Sequence, residues 1–416
     1  MSTENGPAVG AEPRGHRIVP GPKGLPFLGN MPQFARNPLG FFERLRGHGD
    51  LVQWRFGPNP CVFVADPECI GELLTETERS FDQPALGIAF RTVMGNGVVV
   101  ARGTEWRRKR SLVQPSVRPK QVRSYAATMA GSTVELADSW SGEEIGKEFA
   151  GIGALLPDWV PTPGRARIRK AAAVIDAEVG RVVARHRDGG AERPDLLSRL
   201  LTAVDETGAH LTDEEIRDET VTLYIGGHET TSSTLVWAWY LLSRNAGARA
   251  ALHEELDRVL GGREPEFDDY ARLAYTQSVV KETLRLYPTI WLVTGVAKEG
   301  ARIGGVPLPE GTRVWSSQWA THRDERWFPE PEEFRPERWD AETGHPIAEY
   351  AWFPFGGGPR VCLGTRFAMV EAVLILAVLA RRFELEVDPG TVGPVPTLTL
   401  QPDRQVLATV RARRAD

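Results

Sequence analysis

The feature that most constrains this chain is a glycine-rich run around a single cysteine, immediately before an apolar helix. The run is Phe355-Gly356-Gly357-Gly358-Pro359-Arg360-Val361-Cys362-Leu363-Gly364. Residues 366–381 are apolar around nearly the whole circumference, which predicts a buried helix, since the segment is too short to cross a bilayer. Glycines let a backbone approach a flat ligand closely, and free N–H groups at a helix N-terminus stabilise a thiolate. Cys362 is therefore a candidate metal ligand.

Two other interpretations of this run compete with a metal site. A lone cysteine more often serves as a small buried apolar residue in a turn, and the run alone leaves that open. A dinucleotide-binding loop is disfavoured, because no strand pattern leads into the glycines and their spacing differs from that of such a loop.

The composition bounds the class of protein. The 416 residues are 41% hydrophobic and 25% charged, and their net charge of -5 at pH 7 predicts no nucleic-acid partner. Cys61, Cys69 and Cys362 are the three cysteines, which excludes a disulfide framework and favours a reducing cytoplasm. The start is polar and rich in Gly and Pro, so we expect a flexible lead over residues 1–19 and no membrane anchor.

The sequence pattern predicts a mainly α chain with a small β region. Leu51–Phe56 and Cys61–Val64 are short runs rich in Val, Phe and Trp, and a Gly-Pro-Asn-Pro turn separates them, as in a hairpin. Short β-like stretches follow between Ala301 and Val314, and Trp327–Trp339 has no clear periodicity. Strong helices are predicted over Asp213–Arg244, Ala246–Leu260, Tyr270–Leu286 and Arg366–Arg381.

The middle of the longest predicted helix carries the group Gly226-Gly227-His228-Glu229-Thr230-Thr231. Adjacent glycines and hydroxyl residues weaken a helix interior, and a local conflict of this kind often marks a functional site. A helix kink or a close helix crossing explains the glycines equally well. A zinc pair is disfavoured because position 232 is Ser, where a second His is needed.

Two charged groups are uninformative by themselves. Glu282 and Arg285 share a helix face, but pairs at this spacing are common on surfaces. Trp106 and Arg110 lie one helical turn apart and can face a common partner, yet a solvated basic face accounts for the surrounding run Arg107-Arg108-Lys109 as well.

Taken together, these motifs resemble the cytochrome P450 superfamily of haem-thiolate monooxygenases. The glycine-rich run matches the pattern Phe-Gly-x-Gly-x-Arg-x-Cys-x-Gly of the family's haem-binding loop, and all four groups occur in family order from Pro20 onward. The resemblance implies a mainly α cytochrome P450 fold with a small β region, formed by one domain over residues 20–416. It also implies haem b (iron protoporphyrin IX) between the long central helix and the loop and helix around Cys362.

The resemblance implies a role for individual residues. Glu229 and Thr230 are implied to relay protons in an oxygen-binding groove. Arg338 is implied to complete a buried network with Glu282 and Arg285 that holds the irregular segment. The implied haem-binding residues are Cys362 as the axial iron ligand, Arg360, Phe355, Trp106, Arg110 and Gly226. Arg107, Arg108 and Lys109 are expected to point outward, where they could meet an acidic redox partner.

The implied reaction inserts one oxygen atom from O2 into a lipophilic small molecule, such as a terpenoid, as in soluble bacterial members that oxidise terpenes. Electrons are expected from NAD(P)H through ferredoxin reductase and ferredoxin. Substrate contacts are implied at Ile290–Val293 and Thr397–Leu400. A peroxide-driven enzyme, and a haem protein without turnover such as a sensor or a decayed enzyme, are the alternatives.

Two departures from the family pattern favour the alternative without turnover. Gly295 stands where the family often has an arginine that contacts a haem propionate. The chain is also shortened between about residues 141 and 157, where an entire helix is expected. Its loss would leave the central helix and the helix after Cys362 without a packing partner.

Overall fold

The computed structural model describes residues 16–83, 88–139, 163–188, 195–340, 344 and 346–413. The α-helices of these ranges are α1 (Met31–Arg36), α2 (Pro38–Arg46), α3 (Pro67–Thr75), α4 (Ile88–Met94), α5 (Gly103–Val113), α6 (Pro119–Ser139), α7 (Pro163–Asp188), α8 (Leu196–Thr202), α9 (Asp213–Arg244), α10 (Ala246–Leu260), α11 (Ala274–Leu286), α12 (Gln318–Thr321) and α13 (Thr365–Arg382). None of these helices combines the length and the apolar character of a membrane span. The shortened segment 141–157 lies outside the described residues.

The strands are short and come from both halves of the chain. They are β1 (Val19–Pro20), β2 (Leu51–Phe56), β3 (Asn59–Val64), β4 (Phe81–Asp82), β5 (Val293–Ala297), β6 (Arg302–Ile303), β7 (Val306–Pro307), β8 (Arg313–Ser316), β9 (Phe383–Val387), β10 (Pro394–Pro396), β11 (Leu400–Pro402) and β12 (Ala408–Ala412). One six-stranded sheet has the order β1-β2-β3-β8-β5-β4, and three two-stranded sheets pair β6 with β7, β9 with β12, and β10 with β11.

The predicted hairpin is confirmed. β2 and β3 pair antiparallel with Trp54 opposite Cys61, and β3 then pairs parallel with β8, which places Phe63 opposite Trp315. Alternate residues of these strands point to one face, where they meet the aromatic residues of α1 and α2. Phe42 stacks on Phe63 with ring centroids 5.4 Å apart. This aromatic core fixes the sheet on which β5 lies.

The helical core is built around α9, α11 and α13. The predicted bounds of α9 and α10 are confirmed to the residue. α9 begins in a capping box, in which Thr212 and Glu215 satisfy each other's backbone N–H groups. α13 buries Val370 and Leu374 against Val122 and Ala126 of α6. The apolar circumference of α13 is thereby buried, as its sequence predicts.

The predicted start of the helix at Tyr270 is wrong. Residues 267–272 form a 3-10 turn, and α11 begins only at Ala274. The cause is Asp269, whose carboxylate accepts hydrogen bonds from the Arg263 guanidinium and the Glu266 N–H. These bonds fix a tight turn that a regular helix would disrupt.

The predicted network of Glu282, Arg285 and Arg338 is confirmed as a structural unit. Both carboxylate oxygens of Glu282 accept from Arg285, at 2.8 and 2.9 Å, and Arg338 Nε donates to the same carboxylate at 3.2 Å. All three side chains are buried. The indole of Trp339 adds a further hydrogen bond to Glu282, at 2.9 Å.

The remaining donors of this network hold the irregular segment Trp327–Trp339. Arg285 donates to the carbonyls of His322, Pro331 and Glu333, and Arg338 donates to those of Pro329 and Glu330. A buried guanidinium is tolerated only when its N–H groups have partners, so each cation fixes a stretch of backbone. The segment therefore needs no regular secondary structure to be held in place.

His322 connects this segment to the residues that precede the cysteine loop. The Phe353 N–H donates to His322 Nε2 at 3.1 Å. Burial holds the pKa of His322 well below its usual range, so the ring is neutral and this nitrogen can accept. The start of the cysteine loop is thus attached to the buried Glu-Arg-Arg network.

Candidate functional site

The cysteine loop closes on itself just before α13. The Cys362 N–H donates to the Phe355 carbonyl at 2.9 Å, and Gly364 caps α13. Gly358 has a φ of +61°, and a Cβ on it would lie 2.2 Å from the Leu74 carbonyl oxygen. Glycine is required at 358 because α3 approaches the loop backbone closely, whereas a Cβ on Gly356 would meet nothing within 4 Å. The loop is thus packed on one side and open on another.

The environment of Cys362 differs from that of the other two cysteines. Cys61 and Cys69 are buried, whereas Cys362 is accessible to solvent although protein atoms surround it on most sides. Burial among these atoms raises the pKa of the Cys362 thiol. The Gly364 N–H, the Thr365 side chain and the Arg110 charge act to lower this pKa. The expected stabilisation of a thiolate by the helix terminus is therefore outweighed by burial. Metal coordination removes the proton from such a thiol outright.

Trp106, Arg110 and Arg360 converge beside the cysteine, as the family resemblance implies. Arg110 Nη2 donates to the Val361 carbonyl at 3.0 Å, and the Arg110 and Arg360 guanidinium carbons lie 5.7 and 4.0 Å from the Trp106 ring centroid. Burial lowers the pKa of Arg110. No described carboxylate pairs with Arg110, so its remaining N–H groups are available to an anionic ligand.

Arg360 has an internal partner that the sequence did not reveal. It forms an ion pair with Glu78 and also donates to the Ala101 carbonyl. Glu78 adopts a φ of +77°, an uncommon conformation for a residue with a side chain. Most N–H groups of Arg360 are therefore committed within the protein, and its predicted contact with a haem propionate stays a prediction.

The expectation that Arg108 and Lys109 point outward is wrong. Arg108 forms ion pairs with Asp205 and Glu215, at 2.7 and 2.6 Å. Lys109 is buried and its ammonium donates to the Asn96 carbonyl at 2.6 Å. Of the three cations, Arg107 alone is exposed as predicted.

The buried end of Lys109 lies near a carboxyl group of α9 that is also buried. Glu219 accepts from the Val98 N–H at 3.0 Å, and burial raises its pKa to about 7, although the Lys109 charge acts to lower it. The neighbouring Asp218 accepts from the Asn96 N–H at 2.7 Å. These bonds fasten the loop of residues 95–98 to the first half of α9.

The middle of α9 has the open space that its glycines suggest. A Cβ on Gly226 or Gly227 would meet nothing within 4 Å. The Thr230 hydroxyl donates to the Gly226 carbonyl at 2.6 Å, a bond that competes with the helical backbone pattern. The next residue, Thr231, donates to Glu371 of α13 at 2.9 Å, which links α9 to the helix that follows Cys362.

Glu229 is held by the β10–β11 hairpin. Its Oε1 accepts from the Thr399 hydroxyl at 2.6 Å and from the Gln401 amide at 3.0 Å. The predicted substrate stretches 290–293 and 397–400 also meet, because the Trp291 indole donates to the Thr397 carbonyl at 3.0 Å. Both candidate proton-relay residues thus lie on one turn of α9, and one of them contacts a predicted substrate stretch.

Gly295 has no room for the arginine that the family often carries. It lies in β5, and a Cβ on it would lie 2.9 Å from Leu73 Cδ1 and 3.3 Å from Phe81 Cβ. The backbone therefore packs directly against the apolar core below β4 and α3. A haem propionate near β5 would therefore have to be bound by residues other than the one at position 295.

A second group of metal-binding atoms is formed by His16, Asp66 and Cys69, within 4.8 Å of one another. Asp66 already serves as the N-cap of α3, where it accepts from the N–H groups of Glu68 and Cys69. Burial and the nearby carboxylates raise the pKa of the Cys69 thiol far above its ordinary value. We interpret this group as a helix cap covered by His16, and Cys362 as the candidate metal ligand.

Three residues of the site were missed at the sequence level. Glu371 gave a detectable signal, since it is the one acid in the otherwise apolar stretch 367–380, and burial raises its pKa. Glu78 and Gln401 gave none, because they reach Arg360 and Glu229 only through the tertiary fold.

The residues around Cys362 fit a haem. An accessible sulfur, open space at Gly356 and Gly226, and the half-buried Arg110 with free donors are what a flat ligand with two carboxylates requires. Leu363 beside the cysteine and Leu223 of α9 pack against the same apolar cluster, so the cysteine loop and α9 lie near each other.

Comparison with known proteins agrees with this geometry. The family model described as "Cytochrome P450" matches residues 19–149 and 143–408. Cyclooctatin synthase from Streptomyces melanosporofaciens is 35% identical over 92% of this chain and 93% of its own length. Cyclooctat-9-en-7-ol 5-monooxygenase from the same organism is 33% identical over 89% and 90%. Pentalenene oxygenase from Streptomyces avermitilis is 31% identical over 96% and 98%. With an accessible cysteine at the start of a buried helix and a match over nearly its whole length, this chain belongs to the cytochrome P450 family, whose cofactor is haem b.

Proposed function

We propose that this enzyme inserts one oxygen atom from O2 into a terpenoid or a similarly lipophilic small molecule. The observation that carries the proposal is the accessible Cys362 thiol beside Trp106 and Arg110, in a chain whose relatives include monooxygenases that act on terpenoids. The half-buried apolar residues Ile290, Leu292 and Val293 and the exposed Leu398 suit such a substrate.

In this proposal the haem is held by residues of three elements. Cys362 would bind the iron through its sulfur, and Arg110 and Trp106 of α5 would bind the haem carboxylates, with Arg360 as a second cation if its pair with Glu78 opens. Gly226 and Phe355 would contact the haem. When bound, the haem supplies an iron centre that activates O2, and electron donation from the thiolate favours cleavage of the O–O bond.

Residues of α9 would deliver the protons. Gly226 and Gly227 leave space beside α9, and the Thr230 hydroxyl can exchange its bond to the Gly226 carbonyl for one to a ligand in that space. Glu229, fixed through Oε1, can pass a proton from its other oxygen toward Thr230. When this proton delivery fails, we expect NADPH to be consumed with release of hydrogen peroxide instead of oxygenated product.

We further propose that electrons come from NAD(P)H through a separate ferredoxin reductase and ferredoxin. The exposed Arg107 beside the half-buried Arg110 offers a cation for an acidic partner. Three cysteines without a disulfide partner are consistent with a reducing cytoplasm as the location.

The direct test is the carbon-monoxide difference spectrum of the reduced, purified protein. We expect a thiolate-type spectrum for wild type and for Cys61→Ala, which changes a buried cysteine away from the loop, and its loss in Cys362→Ala. An unchanged spectrum in Cys362→Ala would overturn the assignment of the ligand.

Turnover separates the proposed reaction from its alternatives. With a surrogate ferredoxin, its reductase, NADPH and a cyclic terpene hydrocarbon, we expect an oxygenated product by mass spectrometry and a lower yield in Thr230→Ala. Product from hydrogen peroxide alone, at equal rates in wild type and Thr230→Ala, would favour the peroxide-driven alternative. A substrate-induced spectral shift without product from a panel of terpenes would favour a haem protein without turnover.

A further inference from the structure

The carboxylate of Glu229 is held asymmetrically. Its Oε1 accepts both hydrogen bonds from the β10–β11 hairpin, and no described residue donates to Oε2. Gln401 Nε2 also donates to the Thr399 hydroxyl at 2.7 Å, so the two donors fix each other. One carboxylate oxygen is therefore anchored while the other remains free to exchange a proton.

The hairpin that provides these donors is fastened to α9 itself. The Leu400 carbonyl accepts from the Ser233 hydroxyl at 3.1 Å and from the Trp237 indole at 3.2 Å. The Leu400 N–H donates to the Thr289 carbonyl at 2.9 Å. The backbone between Thr399 and Gln401 is thus fixed relative to the turn of α9 that carries Glu229.

The same hairpin exposes an apolar side chain. Leu398 is 46% exposed and directly precedes Thr399, whose own side chain is buried against Glu229. Leu398 belongs to the stretch for which substrate contact is proposed. A ligand that packs on Leu398 therefore contacts the hairpin that holds the Glu229 carboxylate.

We propose that Thr399 and Gln401 are positioning residues that orient the Glu229 carboxylate for proton delivery, and that the hairpin tip couples substrate contact to this delivery. The inference rests on the proposed function, because it assumes that Glu229 moves protons during turnover. The side chains of Thr399 and Gln401 act through their hydrogen bonds to Glu229. Without them the carboxylate is free to rotate, and a misplaced acid slows proton transfer.

The experiment compares Thr399→Val and Gln401→Leu with two matched variants in the haem-loaded protein. Thr399→Ser keeps the hydroxyl, and Thr202→Val makes the same kind of change at an exposed residue of α8, whose hydroxyl donates to carbonyls of its own helix. For Thr399→Val we expect product formation at saturating terpene to fall about tenfold to hundredfold. More of the NADPH should be lost to hydrogen peroxide, and the solvent deuterium isotope effect should rise.

Two features distinguish positioning from a merely structural role. Thr399→Ser restores turnover, and the substrate dissociation constant from the spin-state shift stays that of wild type in Thr399→Val. Combined with Glu229→Gln, Thr399→Val causes no further loss, because both act on one group. The inference would be overturned if Thr399→Val converted as much of its NADPH into product as wild type does, or if Thr202→Val lost as much product as Thr399→Val.

A crystallographic readout does not depend on turnover. We expect the Glu229 carboxylate to leave the hairpin in crystals of Thr399→Val and to keep its place in Thr202→Val; an unmoved carboxylate in Thr399→Val would contradict the inference. If wild type makes no product with any terpene, the proposed function fails, while the crystal comparison still decides how Glu229 is held. If Glu229→Gln loses turnover and Thr399→Val does not, the proposed function stands and the positioning role fails.

Discussion

Replacing Glu282 by glutamine tests whether the buried charge network holds the haem-binding region together. Glutamine keeps the volume of the side chain but leaves the guanidinium groups of Arg285 and Arg338, 0% and 9% exposed, without their carboxylate. Removing one partner of a buried ion pair costs about 3–5 kcal/mol. Typical proteins have about 5–15 kcal/mol of stability in total, so the loss is severe.

The assay is urea unfolding of the haem-loaded protein, followed by circular dichroism and by the carbon-monoxide difference spectrum. The control is Glu330→Gln, because Glu330 pairs with Arg335 at the surface, where a pair contributes about 0–1 kcal/mol. We expect Glu282→Gln to unfold at much lower urea and to lose the thiolate-type spectrum first. Equal midpoints for the two variants would refute the argument that this network holds the segment 327–339.

Three further predictions concern single side chains. Arg110→Gln should release haem to a myoglobin apoprotein about tenfold faster than wild type, since it removes charge-assisted hydrogen bonds, whereas Arg107→Gln should not. Glu219, whose pKa is raised to about 7, favours folding most when it is protonated. The free energy of unfolding of wild type should therefore fall relative to that of Glu219→Gln as pH rises from about 4.5 through 7, by on the order of 3 kcal/mol in thermal unfolding. Parallel pH profiles of the two proteins would contradict this. Gly295→Arg should lower the free energy of unfolding by about 1–3 kcal/mol through overpacking against Phe81, and tighter haem binding in this variant would contradict the packing argument.

Local signals account for the elements that the sequence predicted well. The bounds of α9 follow from Thr212 and Glu215 at its start and from the apolar periodicity up to Arg244. Helices α6 and α7 were not predicted as continuous elements, and the start of α11 was misplaced, because the turn around Asp269 depends on Arg263.

The candidate site was predictable where one short segment carries it. The loop around Cys362 could be identified from its match to a family pattern, whereas the spacing of Trp106 and Arg110 fitted a solvated basic face as well and became informative only through the same resemblance. The burial of Lys109 could not, because its partners come from the loop of residues 95–98 and from α9. Which side of a basic run faces solvent depends on such distant residues, and a single sequence does not contain that information.

The order of strands in the six-stranded sheet has a consequence for synthesis in the cell. Cys61 of β3 pairs with Arg313 of β8, which follows 252 residues later (313 − 61). While the chain emerges from the ribosome, the outer edge of β3 has no partner until β8 has been made. An uncovered strand edge recruits other chains, so premature termination before β8 should yield aggregates rather than a smaller folded protein.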